Sequence, residues 1–295
     1  MANDKISLNA LIEEAEAAKL SLNAYLLPLS AAELEITEEE LLAKMAQMLK
    51  VMEEAAAYGL TGVRSHSGLT GGSALKLQNA AAQPGFNKLL GGLATDAVTY
   101  ALAVSECNAA MGRIVAAPTA GAAGVLPGVL LALKKHCNLT EEQLARALVV
   151  AGQIGLVIAA RASLAGAVGG CQAECGSEAA MAAGAAVDAL GGTPEQAGTA
   201  VSIVFKNMLG LVCDPVAGLV EVPCIKRNGG AAVQALLAAE MALAGIGSFI
   251  PADEAIDAMK WVGDSMPCAL RETAGGGLAQ TPTALAWAKA WFERE

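Results

Sequence analysis

Apolar positions along this chain recur at three- and four-residue spacing, and no stretch alternates with the period of two that marks a half-buried strand. In the first 57 residues, Leu41, Met45, Met48, Leu49 and Met52 fall along one helical face. They follow Thr37-Glu-Glu-Glu40, a capping box in which the threonine hydroxyl and the third glutamate satisfy amides at the helix start. Ile36 and Leu41 flank that cap as a hydrophobic staple. Thr140-Glu-Glu-Gln143 repeats the signal and opens an apolar helix to about Leu164. Thr193-Pro-Glu-Gln196 repeats it again, with Pro194 at the first helical position, where its missing amide costs nothing. Helices are also predicted over Asp96–Ala110, Val125–Lys135, an alanine run up to Leu190, Gly230–Gly247, and from Pro251 and Asp253 to Val262. The expected fold class is all-α. A helical region at 1–57 should pack on a single large helical domain at 58–295 whose glycine-rich loops form a cleft.

Composition sharpens this picture. Of 295 residues, 55% are hydrophobic and only 16% charged, so most helices must be buried on several faces. Aromatics are 3% and glycines number 32, which predicts closely approaching helices with few large side chains between them. The net charge of −10 excludes a nucleic-acid surface, which needs clustered Lys and Arg. Mean hydropathy of +0.47 raises the possibility of a membrane protein. The longest uncharged run, Ile114–Leu133, is long enough to span a bilayer, but Pro118, Pro127 and three glycines interrupt it. A buried core without a membrane is the better reading. The acidic, amphipathic N-terminal stretch has no signal-peptide core. Seven cysteines, an odd number, then indicate reduced thiols in a cytoplasm rather than a disulfide framework.

Candidate chemistry lies in the loops. Gly62–Gly72 carries Ser65, Ser67 and Thr70 among Gly68, Gly71 and Gly72, a composition able to form a nest of amides and hydroxyls for an anion. The spacing is not that of a P-loop. A second small-residue turn, 116–124, holds Thr119, Gly121 and Gly124 and opens an apolar helix, so two walls of one cleft are expected. Ser265–Ala284 is a third glycine loop, with Arg271 and Glu272. Cys213 and Cys224 stand eleven apart, each beside a proline, and should be held on irregular backbone. Cys171 follows a double glycine, and Cys175, four residues on, shares its helical face. Soft thiolates suit zinc, copper(I) or iron–sulfur clusters. Four of them can close a structural zinc site, whereas three leave one iron of a 4Fe–4S cluster open as a Lewis acid.

The motifs SHSGLTGG (65–72), NAAMGRIVAAPTAGAAGVLPG (108–128), GGCQAE (169–174), KNMLGLVCDPVAGLVEVPCIKRN (206–228) and ALRET (269–273) together resemble the α chain of the iron–sulfur-dependent L-serine dehydratases. The resemblance covers nearly the whole chain. It implies an iron–sulfur catalytic domain at 58–295 and a 4Fe–4S cluster held by Cys171, Cys213 and Cys224. L-Serine would become pyruvate and ammonia by Lewis-acid catalysis at the open iron. The loops around Ser67 and Thr119 (Ser65, Ser67, Gly68, Thr70, Gly71, Thr119 and Gly121) would hold the substrate carboxylate and amine. A separate β subunit is implied as partner. Cys175 and Cys268 depart from the family's usual residues and are left out of the cluster, and Ser73 stands where the family commonly has Asp. His66 and His136 are not assigned as the base, which a β subunit is equally able to supply, so the catalytic base stays unassigned. The last residues, Trp291–Glu295, offer no cysteine as a fourth ligand. Three competing readings are a lyase of the same kind acting on cysteine or another β-substituted amino acid, a helical protein with structural zinc, and a pyridoxal-phosphate eliminase suggested by Ser73-Ala-Leu-Lys76. The last needs alternating strands and helices, which the pattern lacks.

Overall fold

The capping boxes start helices where the sequence places them. In the computed structural model, which describes residues 6–293, the Thr37, Thr140 and Thr193 boxes form with both reciprocal hydrogen bonds. Met1–Lys5 of the acidic N-terminal stretch, and Arg294 and Glu295 of the last segment, lie outside the described residues. Thirteen α-helices make up the described residues, with no β-strand among them. In order they are α1 (Leu8–Ala18), α2 (Leu22–Glu33), α3 (Glu38–Gly59), α4 (Ser73–Ala82), α5 (Gly91–Ala109), α6 (Val125–Cys137) and α7 (Glu141–Arg161). There follow α8 (Gly166–Gly169), α9 (Cys171–Ala189), α10 (Pro194–Met208), α11 (Cys224–Leu243), α12 (Ala252–Ser265) and α13 (Pro282–Phe292).

Helix α9 is the axis of the fold. Its sequence is rich in alanine, the best helix former, and every residue but Glu174 and Ala189 is buried. Such small side chains let α6, α7, α10 and α11 all pack around it. Larger residues fill the outer layers: Leu130, Leu133, Leu144, Ile154 and Phe205 are fully buried, each worth about 1.5–3 kcal/mol of hydrophobic stabilisation. Where α3 crosses α5 the backbones nearly touch, and a Cβ at Gly59 would sit 1.9 Å from the Ala103 carbonyl oxygen, so only glycine fits. Along α3, Leu41, Leu49 and Met52 face the core and Met45 is half-buried, but Met48 is exposed at the edge of the expected stripe.

The N-terminal helices are tied to the body by carboxylates. Asp253, in the first turn of α12, accepts from the Ser7 hydroxyl (2.6 Å) and the Leu8 amide (2.9 Å) at the start of α1. Asp188, near the end of α9, takes the Asn23 amide and side chain of α2 in the same way. Near the middle of α9, Glu178 is fully buried and accepts from the Leu126 amide (3.0 Å) at the start of α6. Its second oxygen has no partner, and burial pushes its pKa well above the usual carboxylate range despite that amide.

Helix α7 is long and apolar enough to cross a membrane by length and composition, but 67% of its apolar window is buried within the protein. The fold differs from the sequence reading mainly at boundaries. Helix α5 begins at Gly91 rather than Asp96, and α11 runs from Cys224 rather than Gly230. The third glycine loop contains short 3-10 turns at Cys268–Leu270 and Gly277–Gln280 before α13 begins.

Candidate active site

The three singled-out cysteines arrive on separate segments. Cys171 is the first residue of α9 and Cys224 the first of α11; only Cys213 sits on extended backbone, so the expectation of irregular structure fails for Cys224. Pro223 explains the difference, because a proline at a helix start loses no hydrogen bond. The ALRET segment clamps Cys213: its amide donates to the Leu270 carbonyl (2.9 Å) and its carbonyl accepts from the Glu272 amide (2.7 Å). Cys171 and Cys213 are buried and Cys224 half-buried, and none of the seven cysteines forms a disulfide.

Their electrostatics are shared. The Cys175 thiol donates to Cys171 (3.4 Å), as the four-residue spacing on one helix face requires. That hydrogen bond, followed by the nearby Arg227 guanidinium, lowers the Cys171 pKa and raises that of fully buried Cys175. Burial, then the negative charge of Cys171, pushes Cys213 up and Cys224 up to about 12. A thiolate at one corner thus makes the other two harder to ionise, and a cation among them would reverse that. Among the described residues, no three His, Cys, Asp or Glu side chains group around one point as ligands of a single metal ion.

Polar residues on α11 brace this arrangement. Arg227 donates to the Val212 carbonyl (2.8 Å) and pairs with buried Asp214 (2.8 Å). Asp214 also accepts from the Leu278 amide (2.7 Å), which joins the third glycine loop to the cysteine segment. Asn228 is fully buried and uses all of its amide. Its nitrogen donates to the Gly121 and Cys224 carbonyls (2.9 Å each), and its oxygen accepts from the Gly124 amide (2.9 Å).

The two predicted substrate loops are held against the cysteine segment by carboxylates. The 65–72 loop is closed by a bridge between Arg64 and Gly71 and turns at Gly68, whose φ is +73°. Ser65 and Thr70 are buried and Ser67 is half-buried. Ser67 and Thr70 both donate to Glu221, which lies between Cys213 and Cys224. Amides at the start of α4 (Ser73 and Ala74) are taken by buried Glu106, so Ser73 has a backbone role here. In the second loop, the Thr119 hydroxyl donates to Glu174 (3.0 Å), and a Cβ at Gly121 would meet Glu174 and Val220, each at 3.3 Å. Glu174 is 4.0 Å from the Cys213 sulfur. Burial raises its pKa, Thr119 partly offsets this, and Glu272 adds to it. His66 is exposed and packs edge-on to Trp291, while His136 pairs with Asp96 (2.6 Å) at the end of α6.

Glu174, Glu221, Arg227 and Asn228 are therefore site residues that the sequence reading quoted within motifs without assigning them a role. Their one visible signal was position, since each lies close in sequence to one of the three cysteines.

The family model described as "Serine dehydratase alpha chain" matches residues 3–279. The chain belongs to the serine dehydratase alpha chain family. Relatives of this family include the "Probable L-serine dehydratase, alpha chain" of Bacillus subtilis, 58% identical over 86% of this chain and 85% of that protein. The "L-serine dehydratase, alpha chain" of Peptoniphilus asaccharolyticus is 44% identical over 84% of each chain. The "L-serine dehydratase" of Streptomyces coelicolor is 50% identical over 61% of this serine dehydratase alpha chain, a match that spans only 40% of the longer protein.

Proposed function

We propose that this chain is the catalytic α subunit of an L-serine dehydratase, a lyase that converts L-serine to pyruvate and ammonia at a 4Fe–4S cluster held by Cys171, Cys213 and Cys224. The observation that carries this reading is the set of three thiols on separate segments, within sensing distance of one another's charge, in a chain whose relatives are named L-serine dehydratase. The donor set fits such a cluster. The thiols are soft ligands, their mutual repulsion would be relieved by iron, and Arg227 offsets the charge beside Cys171. Each thiolate would hold a different iron, so convergence on a single ion, as structural zinc requires, is not needed. When bound, the cluster supplies a Lewis acid at the iron that lacks a thiolate.

The chain's own residues supply the rest. Ser65, Ser67, Gly68, Thr70 and Gly71 form one wall for the substrate, and Thr119 with Gly121 forms the other. Glu221 and Glu174 fix those walls against the cysteine segment. Burial of Cys171 and Cys213 keeps bulk water from the reacting groups. Loss of the α-proton and the β-hydroxyl leaves an enamine, which becomes pyruvate and ammonia in water. We take 1–57 as packed on the catalytic domain 58–295, a separate β subunit as the partner, and the reducing cytoplasm as the compartment.

The test is an anaerobic serine-to-pyruvate assay on reconstituted protein, with and without the β subunit. Cys213→Ser and Cys224→Ser should each lose both visible cluster absorbance and turnover, whereas Cys175→Val should keep both. Zinc in place of iron and acid-labile sulfide would remove the reading, and full activity of the α chain alone would remove the need for the partner.

A further inference from the structure

The direction of the hydrogen bonds in the 65–72 loop carries information beyond its position. Glu221 is 7% exposed and lies on the turn between Cys213 and Cys224. Its carboxylate oxygens receive the Ser67 hydroxyl at 2.9 and 3.0 Å and the Thr70 hydroxyl at 2.7 Å. A serine or threonine hydroxyl has one proton to donate, and an ionised carboxylate can only accept. Both protons are therefore committed to Glu221. The third hydroxyl, Ser65, lies 3.2 Å from both the Thr70 carbonyl and the Ser67 oxygen. None of the three is left with a proton for an outside anion. What half-buried Ser67 still offers is a lone pair, made more negative by the carboxylate behind it.

We propose that Glu221 determines recognition of the substrate's amino group, by fixing Ser67 as a hydrogen-bond acceptor that suits an ammonium and rejects a carboxylate. This rests on the reading that the 65–71 loop lines the serine site. It divides the work of that loop: side chains meet the amine, and only main-chain amides remain for the carboxylate. Glu221 is a positioning residue that acts through Ser67.

Glu221→Gln tests the proposal. A glutamine donates from its amide nitrogen to one of the two hydroxyls, and that hydroxyl then turns its own proton outward. In anaerobically reconstituted holoenzyme with its β subunit, KM for L-serine should rise about ten-fold or more, equivalent to about 1.4 kcal/mol, with kcat much less affected. Calorimetric binding of 3-hydroxypropionate, which is serine without its amino group, should be unchanged or tighter. Ser67→Ala should raise the serine KM without weakening 3-hydroxypropionate. A Glu221→Gln enzyme that weakens both ligands alike, leaves both unchanged, or no longer retains its cluster overturns the proposal, the last because Glu221 would then be a clasp for the cysteine turn. If Ser67→Ala leaves the serine KM unchanged, the placement of the loop at the substrate fails, and the proposal fails with it. If Ser67→Ala raises KM while Glu221→Gln does not, the placement stands and only the role of Glu221 is lost.

Discussion

Replacing Asn228 with aspartate keeps the side-chain shape and reverses the polarity of one atom. The nitrogen that donates to the Gly121 and Cys224 carbonyls, at 2.9 Å each, becomes an oxygen facing both. If ionised, the new side chain is a buried charge against two acceptors; if protonated, it can serve only one of them. At least one buried carbonyl loses its partner, at about 1–3 kcal/mol, and the aspartate must also be neutralised or strained. The expected loss is about 3 kcal/mol. At roughly 2 °C per kcal/mol for a chain of this size, the melting temperature should fall by about 6 °C. Asn207→Asp is the control: that exposed amide donates only to the Gln234 side chain, and the same chemical change there should cost about 0.5 kcal/mol or less. Circular dichroism melts of the two variants and the parent, in matched buffer, give the comparison. Because Asn228 joins the Gly121 loop to the backbone of Cys224, reconstituted iron per chain should fall with it. A melting temperature for Asn228→Asp within about 2 °C of the parent would refute the claim that this amide braces the site.

Two further outcomes follow from buried groups. Glu178 has a folded-state pKa raised well above its unfolded value by burial, so its contribution to stability is full below the unfolded pKa and declines as pH rises toward the folded one. Glu178→Gln keeps an oxygen for the Leu126 amide, so the parent should lose more stability than the variant between about pH 5 and pH 9, as thermal melts will read; parallel curves would contradict the assignment. A Cβ at Gly166 would lie 2.7 Å from a Glu174 oxygen and 3.0 Å from the Cys213 sulfur, so Gly166→Ala should lower iron retention while leaving helix content unchanged, and full iron loading would count against that crowding.

Much of the fold is legible from local chemistry. The capping boxes at Thr37, Thr140 and Thr193 are complete within four residues, so the sequence alone places those helix starts. Helix α4 is harder to see, because its N-cap is Gly72 in a left-handed conformation and no side chain caps it. Pro223 misleads in another way. The rule that proline breaks helices describes Val222 well, but the same proline opens α11 and puts Cys224 on a helix six residues before the expected start. The site's carboxylates were the least visible. Glu221 meets Ser67 across 154 residues of sequence and Glu174 meets Thr119 across 55, and no local pattern encodes such pairs. The loops looked like anion nests because their hydroxyls were counted as free donors; the fold commits those donors to the protein's own carboxylates.

The central claim is that three cysteines leave one iron of a four-iron cluster open to L-serine. Mössbauer spectra of 57Fe-reconstituted holoenzyme, recorded anaerobically with and without L-serine, test it most directly. The account predicts that about one quarter of the iron signal is distinct and shifts when serine is added. Four equivalent irons that ignore serine, or iron bound without sulfide, would contradict it.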